Sequence, residues 1–471
     1  MSIDFRELPS PCYIVDEGLL KKNLEILDSV QQRTGCNILL ALKGFSMYEV
    51  FPLVGKYLKG VTSSSLFEAR LGFEQMGKEV HAYAPAYLED EFDELLSYSD
   101  HIVFNSFDQW DKFKGKVKNV NSKKVSCGIR INPEYSEIST PIYNPCYKYS
   151  RLGVTLSSFR PEELDGIEGL HFHTMCEQNS DTLERTIKVV DEKFGQYIKK
   201  MKWLNLGGGH HITRPDYDLE TLISSILFLK NKYGVDIYLE PGEAVALNTG
   251  VLVATVLDIV DNGMKIAILD TSAACHMPDV LEMPYRPNII DSGQPGEYTY
   301  TYRLGGNTCL AGDVIGDYSF KQPLKPGDRL VFCDMAHYTM VKNNMFNGLN
   351  LPAIAVYNEE EGFKIVRQFG YEDYVSRLSH KYTNRQFARK IFISDFSNQK
   401  KVSKIKKDEK SRPRVILDVI ETDYPDRYFM ELENEEWTDI LIKSRSSYEN
   451  RINQIKKTKK HLLIAVETEV D

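Results

Sequence analysis

The chain has 471 residues, 42% of them hydrophobic and 27% charged, and a net charge of −9. That length supports two or three domains with substantial cores, and the acidic balance argues against nucleic acid and favours a cationic small molecule as partner. No apolar run reaches membrane-spanning length and the opening MSIDFRELPSP has no apolar secretory core, so a cytoplasmic protein is expected. The eight cysteines are scattered without a C-x-x-C spacing, which points to reduced thiols rather than a disulfide frame or zinc knuckle.

In chain order, Pro11 to Asp16 reads as a short strand, and Asp16 is placed to cap a helix whose stripe is Leu19, Leu20, Leu24, Leu27 and Val30, closed by Gly35. A rhythm of short apolar strand and amphipathic segment then begins. Strands are expected near Ile38–Lys43, Gly60–Ser64, Val80–Ala84, His101–Asn105, Ser126–Asn132, Leu170–His173, Trp203–Leu206 and Ile237–Glu240, with helical patterns mostly between them. That pattern is the arithmetic of a (β/α)8 TIM barrel; an open doubly wound sheet is the alternative. After Glu243 the rhythm changes to strands without intervening helices, at Val245–Val260, Ile266–Leu269, Tyr298–Leu304, Arg329–Phe332 and Ala353–Tyr357. These predict an all-β barrel or sandwich domain that the Pro11–Asp16 strand joins.

The domain expectation is therefore a barrel over residues 30–245, a β domain from 1–29 plus 246–379, and a separate extension over 380–471. The extension opens with a basic run from Lys400 to Lys410, and suggests strands at Val415–Ile420 and His461–Val466 around a helix at Glu435–Lys460. A solvated basic loop leading to a small appended module explains it better than nucleic-acid binding.

Barrel enzymes place their chemistry at the C-terminal ends of the strands. Lys43 stands there at the end of strand one, His173 ends strand six, Gly207, Gly208 and Gly209 follow strand seven, and Glu240 ends strand eight. An amine beside apolar walls loses water, which disfavours its ammonium form and makes a Schiff-base nucleophile. On that stretch alone, a lysine snorkelling from a core strand is the simpler reading. Glycine N–H groups can wrap an anion because no side chain intervenes. Lysine, glycine cradle, strand-end carboxylate and a histidine able to stack on a ring together describe a pyridoxal 5′-phosphate site, Glu240 pairing with the ring nitrogen.

Six segments carry a resemblance to a known family: ALKGF at Ala41–Phe45, HFHTMCEQ at His171–Gln178, GGGHHIT at Gly207–Thr213, EPGEA at Glu240–Ala244, HMPDVLEMPYRP at His276–Pro287 and GGNTCLAGD at Gly305–Asp313. From about Pro9 to about Ser379 the sequence resembles the fold-type III pyridoxal-phosphate decarboxylases, the alanine racemase-like group that includes ornithine, lysine, arginine and diaminopimelate decarboxylases. Within it, the sequence is most similar to the carboxynorspermidine (carboxyspermidine) decarboxylases. The resemblance implies that Lys43 holds the cofactor, His173 stacks on its ring, Glu240 meets its nitrogen, and Gly207 to Gly209 bind the phosphate with Tyr338. It implies a homodimer in which Cys309 reaches across the interface to help protonate the carbanion. The implied reaction is decarboxylation of carboxynorspermidine or carboxyspermidine to norspermidine or spermidine, in polyamine biosynthesis.

Two departures bear on substrate. Relatives acting on simple basic amino acids often carry arginine after E-P-G, where this chain has Glu243, a poor phosphate ligand but a good partner for an amine. The residue after the motif cysteine, often acidic in relatives, is Leu310. Asp279 is then the candidate for a distal ammonium, Glu243 for an inner amine, and Asp313 is a further substrate candidate. Solvated loop carboxylates or structural ion pairs are the competing reading. Other functions stay open: decarboxylation of diaminopimelate or ornithine, a metal-dependent hydrolase using His171, His173, His210, His211 and Glu240, or a non-catalytic regulator that keeps the fold.

Overall fold

Strand one of the chain, β1 (Cys12–Asp16), hands over directly to a helix, Glu17–Thr34. Asp16 accepts the Leu19 N–H at 2.9 Å and Gly35 closes the helix with φ +63°. A side-chain N-cap of this kind contributes about 1 kcal/mol. The computed structural model describes residues 5, 8–118 and 124–379, and the backbone alone of 388–394, 413–414, 416–421, 424–429 and 462–468.

Eight parallel strands follow and close on themselves: β2 (Asn37–Ala41), β3 (Gly60–Ser63), β4 (Glu79–Tyr83), β5 (His101–Phe104), β6 (Ser126–Arg130), β7 (Ile167–His171), β8 (Trp203–Asn205) and β9 (Asp236–Leu239). Closure is made where β9 pairs with β2, Asn37 opposite Tyr238 and Ile38 opposite Leu239. These are the eight strands the sequence pattern predicts, each ending a residue or more earlier, so that Lys43, His173 and Glu240 project from the loops just beyond the strands. Inside the barrel the large indole of Trp203 lies over two glycines of neighbouring strands. A Cβ on Gly169 would stand 2.0 Å from its ring and one on Gly128 2.3 Å. The indole N–H donates to Ser126 Oγ at 2.8 Å, so its polar tip is satisfied.

A mixed sheet of nine strands completes the first unit: β10 (Gly250–Asp261), β11 (Lys265–Leu269), β12 (Ser292–Gly293), β13 (Tyr300–Gly305), β14 (Val314–Phe320), β15 (Arg329–Cys333), β16 (Ala353–Asn358) and β17 (Gly362–Arg367), with β1. β1 does join it, antiparallel to β10 and parallel to β16. β12, β14 and β17 were not read from the pattern, and short helical turns at Ala273–His276 and Asp279–Glu282 interrupt a stretch expected to be free of helices. The strand expected from Val245 begins only at Gly250, because Glu243–Ala246 forms one helical turn.

The chain divides into two compact units, Met1–Gly370 and Tyr371–Asp471. In the second, Ala388–Ser394, Leu462–Thr468 and Pro413–Arg414 form a three-stranded antiparallel sheet, and Ile416–Glu421 pairs with Tyr424–Phe429. The strands expected near Val415 and His461 correspond to Ile416–Glu421 and Leu462–Thr468, while the basic run and the 435–460 helix lie outside the described residues. Among the described residues no helix is long and apolar enough to cross a membrane.

Candidate active site

At the C-terminal mouth of the barrel, Lys43 stands among Glu240, Arg130, Glu68 and Cys176. Its side chain is exposed, yet burial is the chief reason that its pKa is lowered. Both hold where solvent still reaches an amine that protein crowds. Loss of water and the Arg130 guanidinium favour the neutral amine, while Glu240, Glu68 and Cys176 pull the other way.

Glu240 is held by Asn205, whose Nδ2 donates to Oε1 at 2.8 Å, and by His171, whose Nε2 lies 3.1 Å from Oε2. Burial pushes the Glu240 carboxyl up, but His171, His81 and Asn205 outweigh it and hold it down to about 2. His171 itself is lowered by burial, against the pull of Glu240. A full charge on both partners is inconsistent with these two shifts; we take a neutral His171 donating Nε2–H to an ionised Glu240, because hydrogen bonds from His171 and Asn205 suffice to keep the carboxylate ionised. Each Glu240 oxygen retains capacity for a further hydrogen bond.

His173 is driven well below the ordinary histidine range, first by burial, then by Lys43 and Arg130. Its Nδ1 accepts the Gly208 N–H at 2.8 Å, which places the ring proton on Nε2. This narrows the glycine expectation. Gly207 N–H is spent on Asn205 Oδ1 at 2.9 Å and Gly208 N–H on His173, which leaves Gly209 as the triplet's donor not used in these bonds. The triplet is nonetheless required to be bare: a Cβ would stand 2.4 Å from the Phe172 oxygen at Gly207, 2.4 Å from the Glu240 oxygen at Gly208 and 2.0 Å from the Met175 oxygen at Gly209.

Tyr338 comes from the loop after β15, and its N–H donates to the Gly44 carbonyl at 2.7 Å, one residue from Lys43. Burial, then Glu243 and Cys176, raise its pKa. Glu243 lies in a cluster of its own with His211 Nε2 at 3.3 Å and His337 Nε2 at 3.9 Å. Glu177 joins it, with φ +51° and a pKa raised by burial and by Glu243. Two carboxylates crowded in this way favour a cation between them.

Three expected site residues have partners of their own within this chain. Asp279 already carries the Lys342 ammonium, shared with Glu282 at 2.5 Å. Asp313 is buried and fully committed as a cap, accepting from Ala273 N–H and Ser272 Oγ at 2.8 Å and Thr308 Oγ at 2.6 Å. Within this chain it holds the Ala273–His276 turn. Cys309 is exposed, its N–H donating to Asn347 Oδ1 at 2.9 Å, and it is not among the groups that act on Lys43. The ligand set for a hydrolase also fails to assemble. Among the described residues, only Glu79–His81–His101 and Glu177–His211–Glu243 bring three metal-ligating atoms within 4.8 Å, and neither is the predicted group.

Sequence reasoning did not single out Arg130, Glu68, Cys176 or Glu177. Arg130 ends β6, so its strand-end position was the available signal. Its guanidinium lies 4.6 Å over the Tyr83 ring and donates to the His173 carbonyl at 3.3 Å.

A barrel mouth with a low-pKa lysine, a bare glycine triplet and an ionised strand-end glutamate, beside a mixed sheet, defines a class. Residues 12–336 match the family described as "pyridoxal-dependent decarboxylase, C-terminal sheet domain", and the chain belongs to that family of carboxy-lyases. It is 47% identical over 384 residues to the carboxynorspermidine/carboxyspermidine decarboxylase of Campylobacter jejuni, covering 79% of this chain and 99% of that protein. It is 45% identical over 373 residues to the carboxyaminopropylagmatine decarboxylase of Synechocystis, covering 79% of this chain and 96% of that one. The crystal structure of the C. jejuni carboxynorspermidine decarboxylase complexed with norspermidine superimposes with a TM-score of 0.73 at 46% identity, over 79% of this chain and all of that one.

Proposed function

We propose that this enzyme decarboxylates a carboxylated polyamine, carboxynorspermidine or carboxyspermidine, to norspermidine or spermidine. The observation that carries the proposal is the pairing of two features in one mouth: the low-pKa Lys43, and the crowded carboxylates Glu177 and Glu243 in reach of Tyr338. An amino-acid head needs the first and a multiply charged tail needs the second.

The residues fit pyridoxal phosphate. The triplet admits no side chain, Lys43 offers an amine whose charge burial disfavours, and ionised Glu240 can accept a ring N–H. Lys43 would hold the cofactor, Glu240 its ring nitrogen, His173 its ring face, and Gly209 with Tyr338 its phosphate. Bound there, the cofactor supplies an electron sink for the pair left when carbon dioxide departs. The chain's own work is positional. His171 and Asn205 keep Glu240 ionised, and the Gly208–His173 bond fixes the imidazole tautomer. The Lys43 amine is placed to hold and move protons beside the substrate's α-carbon, which gains a proton where carbon dioxide departs. Cys309, exposed on one copy, is proposed to serve as acid at the mouth of a second copy in a homodimer.

Side-by-side turnover of carboxynorspermidine, carboxyspermidine, carboxyaminopropylagmatine, diaminopimelate and ornithine tests the proposal. The expected order places the first two highest in kcat/KM, and Glu177→Gln and Glu243→Gln raise KM for them about tenfold or more, as loss of a charged partner predicts. Preference for diaminopimelate or ornithine would overturn it. One methylene is worth only about 1–3 kcal/mol in a pocket, so the two carboxy-polyamines are expected to differ modestly.

A further inference from the structure

Burying a charge without a counter-charge is costly, so a lone buried guanidinium calls for an anion. Arg130 is such a group. It ends β6 and is 4% exposed, and an arginine side chain stays protonated in proteins. Among the described residues no carboxylate makes an ion pair with it. Its partners are neutral. Nη2 donates to the His173 carbonyl at 3.3 Å, and the guanidinium carbon lies 4.6 Å over the Tyr83 ring. Burial raises the Tyr83 pKa, and the hydroxyl donates to Asn105 Oδ1 at 2.7 Å, so this ring stays a neutral phenol.

The place of the guanidinium narrows what the anion can be. Burial comes first in opposing protonation of Lys43, His171 and His173, and the Arg130 charge acts in the same direction on all three, which puts it on the inner wall of the mouth. Strand order then fixes the side. In the closed barrel β7 stands between β6 and β8, His173 follows β7 and the glycine triplet follows β8. Arg130 and the triplet therefore flank His173 from opposite sides. The fork is also held before any ligand arrives, by the His173 carbonyl and by Tyr83, whose ring stacks on His171 with centroids 5.4 Å apart.

We propose that Arg130 is an anion-binding residue of the mouth, taking an oxyanion presented beside Lys43 on the side away from the glycine triplet. The assignment rests on the pyridoxal phosphate reading above. That cofactor carries its phosphate arm and its ring oxide on the two carbons that flank the aldehyde, so a phosphate turned toward β8 turns the oxide toward β6. A planar guanidinium suits such an oxygen, and equally a substrate carboxylate. The two sources share one chemistry, and the two arms of the test separate them.

The first arm uses the full-length chain freed of cofactor and titrated with pyridoxal 5′-phosphate and with its 3-O-methyl ether, which lacks the oxide charge, uptake being followed by protein fluorescence. The wild type is expected to favour the parent about tenfold or more, as a charge-assisted hydrogen bond predicts. Arg130→Met loses that preference and Arg130→Lys keeps part of it, with circular dichroism unchanged in both. The second arm uses the loaded protein, and sets KM for carboxynorspermidine against the inhibition constant of norspermidine, which lacks the carboxylate. If the carboxylate is the anion, Arg130→Met raises the first about tenfold or more, spares the second and leaves the cofactor preference intact. If the oxide is the anion, the ratio of the two constants stays where it was. Uptake in which neither the preference nor KM moves in Arg130→Met or Arg130→Lys overturns the inference alone. A wild type that takes up no pyridoxal phosphate overturns the cofactor reading, and the inference with it.

Discussion

Gly209→Ala puts the bare mouth to its severest test. Gly209 adopts φ +83°, where an L side chain costs about 1 kcal/mol. A Cβ there would also stand 2.0 Å from the Met175 carbonyl oxygen and 2.3 Å from its carbon, against 3.4 Å or more in ordinary contact. Both obstacles are main chain, so the loops beyond β7 and β8 must part by more than an ångström. Over-packing of this kind costs about 1–3 kcal/mol, which brings the total to about 2–4 kcal/mol. Gly263→Ala is the control, with φ +74° and nothing within 4 Å of its Cβ, so it carries the backbone strain alone. Chemical denaturation at constant m separates the two variants by the cost of the clash. Pyridoxal phosphate uptake, followed by visible absorbance, is expected to weaken about tenfold or more in Gly209→Ala and to be unchanged in Gly263→Ala, because misplacement by an ångström is costly at a site. If both variants denature together and bind cofactor like the wild type, the close approach of the loops is not what holds the mouth.

Lys43→Met removes an amine whose charge the fold disfavours, so the cofactor-free variant is expected to denature no earlier than the wild type while losing all borohydride-sensitive visible absorbance. An earlier midpoint contradicts an enclosed amine. Burial would lower the His337 pKa, but Asp334 at 3.1 Å, then Glu243 and Glu177, outweigh it and raise it above the ordinary 6.5. The stability that it adds is therefore complete below pH 6.5 and fades as pH rises through the folded value, so His337→Gln should flatten the decline in denaturation midpoint above pH 6.5. Trp110, 2% exposed, is the largest fully buried side chain among the described residues, and Trp110→Ala is expected to cost about 3–5 kcal/mol by calorimetry.

The barrel was legible because its strands are buried on both faces and read as short apolar runs at regular intervals. β14 was missed because VIGDYSF breaks its apolar run with Gly316 and Asp317, and β17 because none of its residues is buried. Lys43, His173 and Glu240 could be placed because strand ends converge in a barrel whatever their separation in sequence. What could not be read was which hydrogen bonds the mouth spends on itself. Nothing local to Gly208 says that its N–H turns to His173, nor does local sequence announce that Asp313 is consumed by Ser272, Ala273 and Thr308. Arg130 and Glu177 act through neighbours on other strands, so their importance is a product of packing.

The place of β1 carries a consequence for how the molecule comes into being. Cys12 to Asp16 lies between β10 and β16, with Cys12 opposite Val253 on one side and Ala353 on the other. During synthesis this segment waits, its edges bare, until more than three hundred further residues have emerged to flank it. Contacts so distant along the chain make for slow assembly. A nascent chain held up before Ala353 leaves the β16-facing edge of β1 unpaired, an apolar ribbon open to whatever chaperone is at hand.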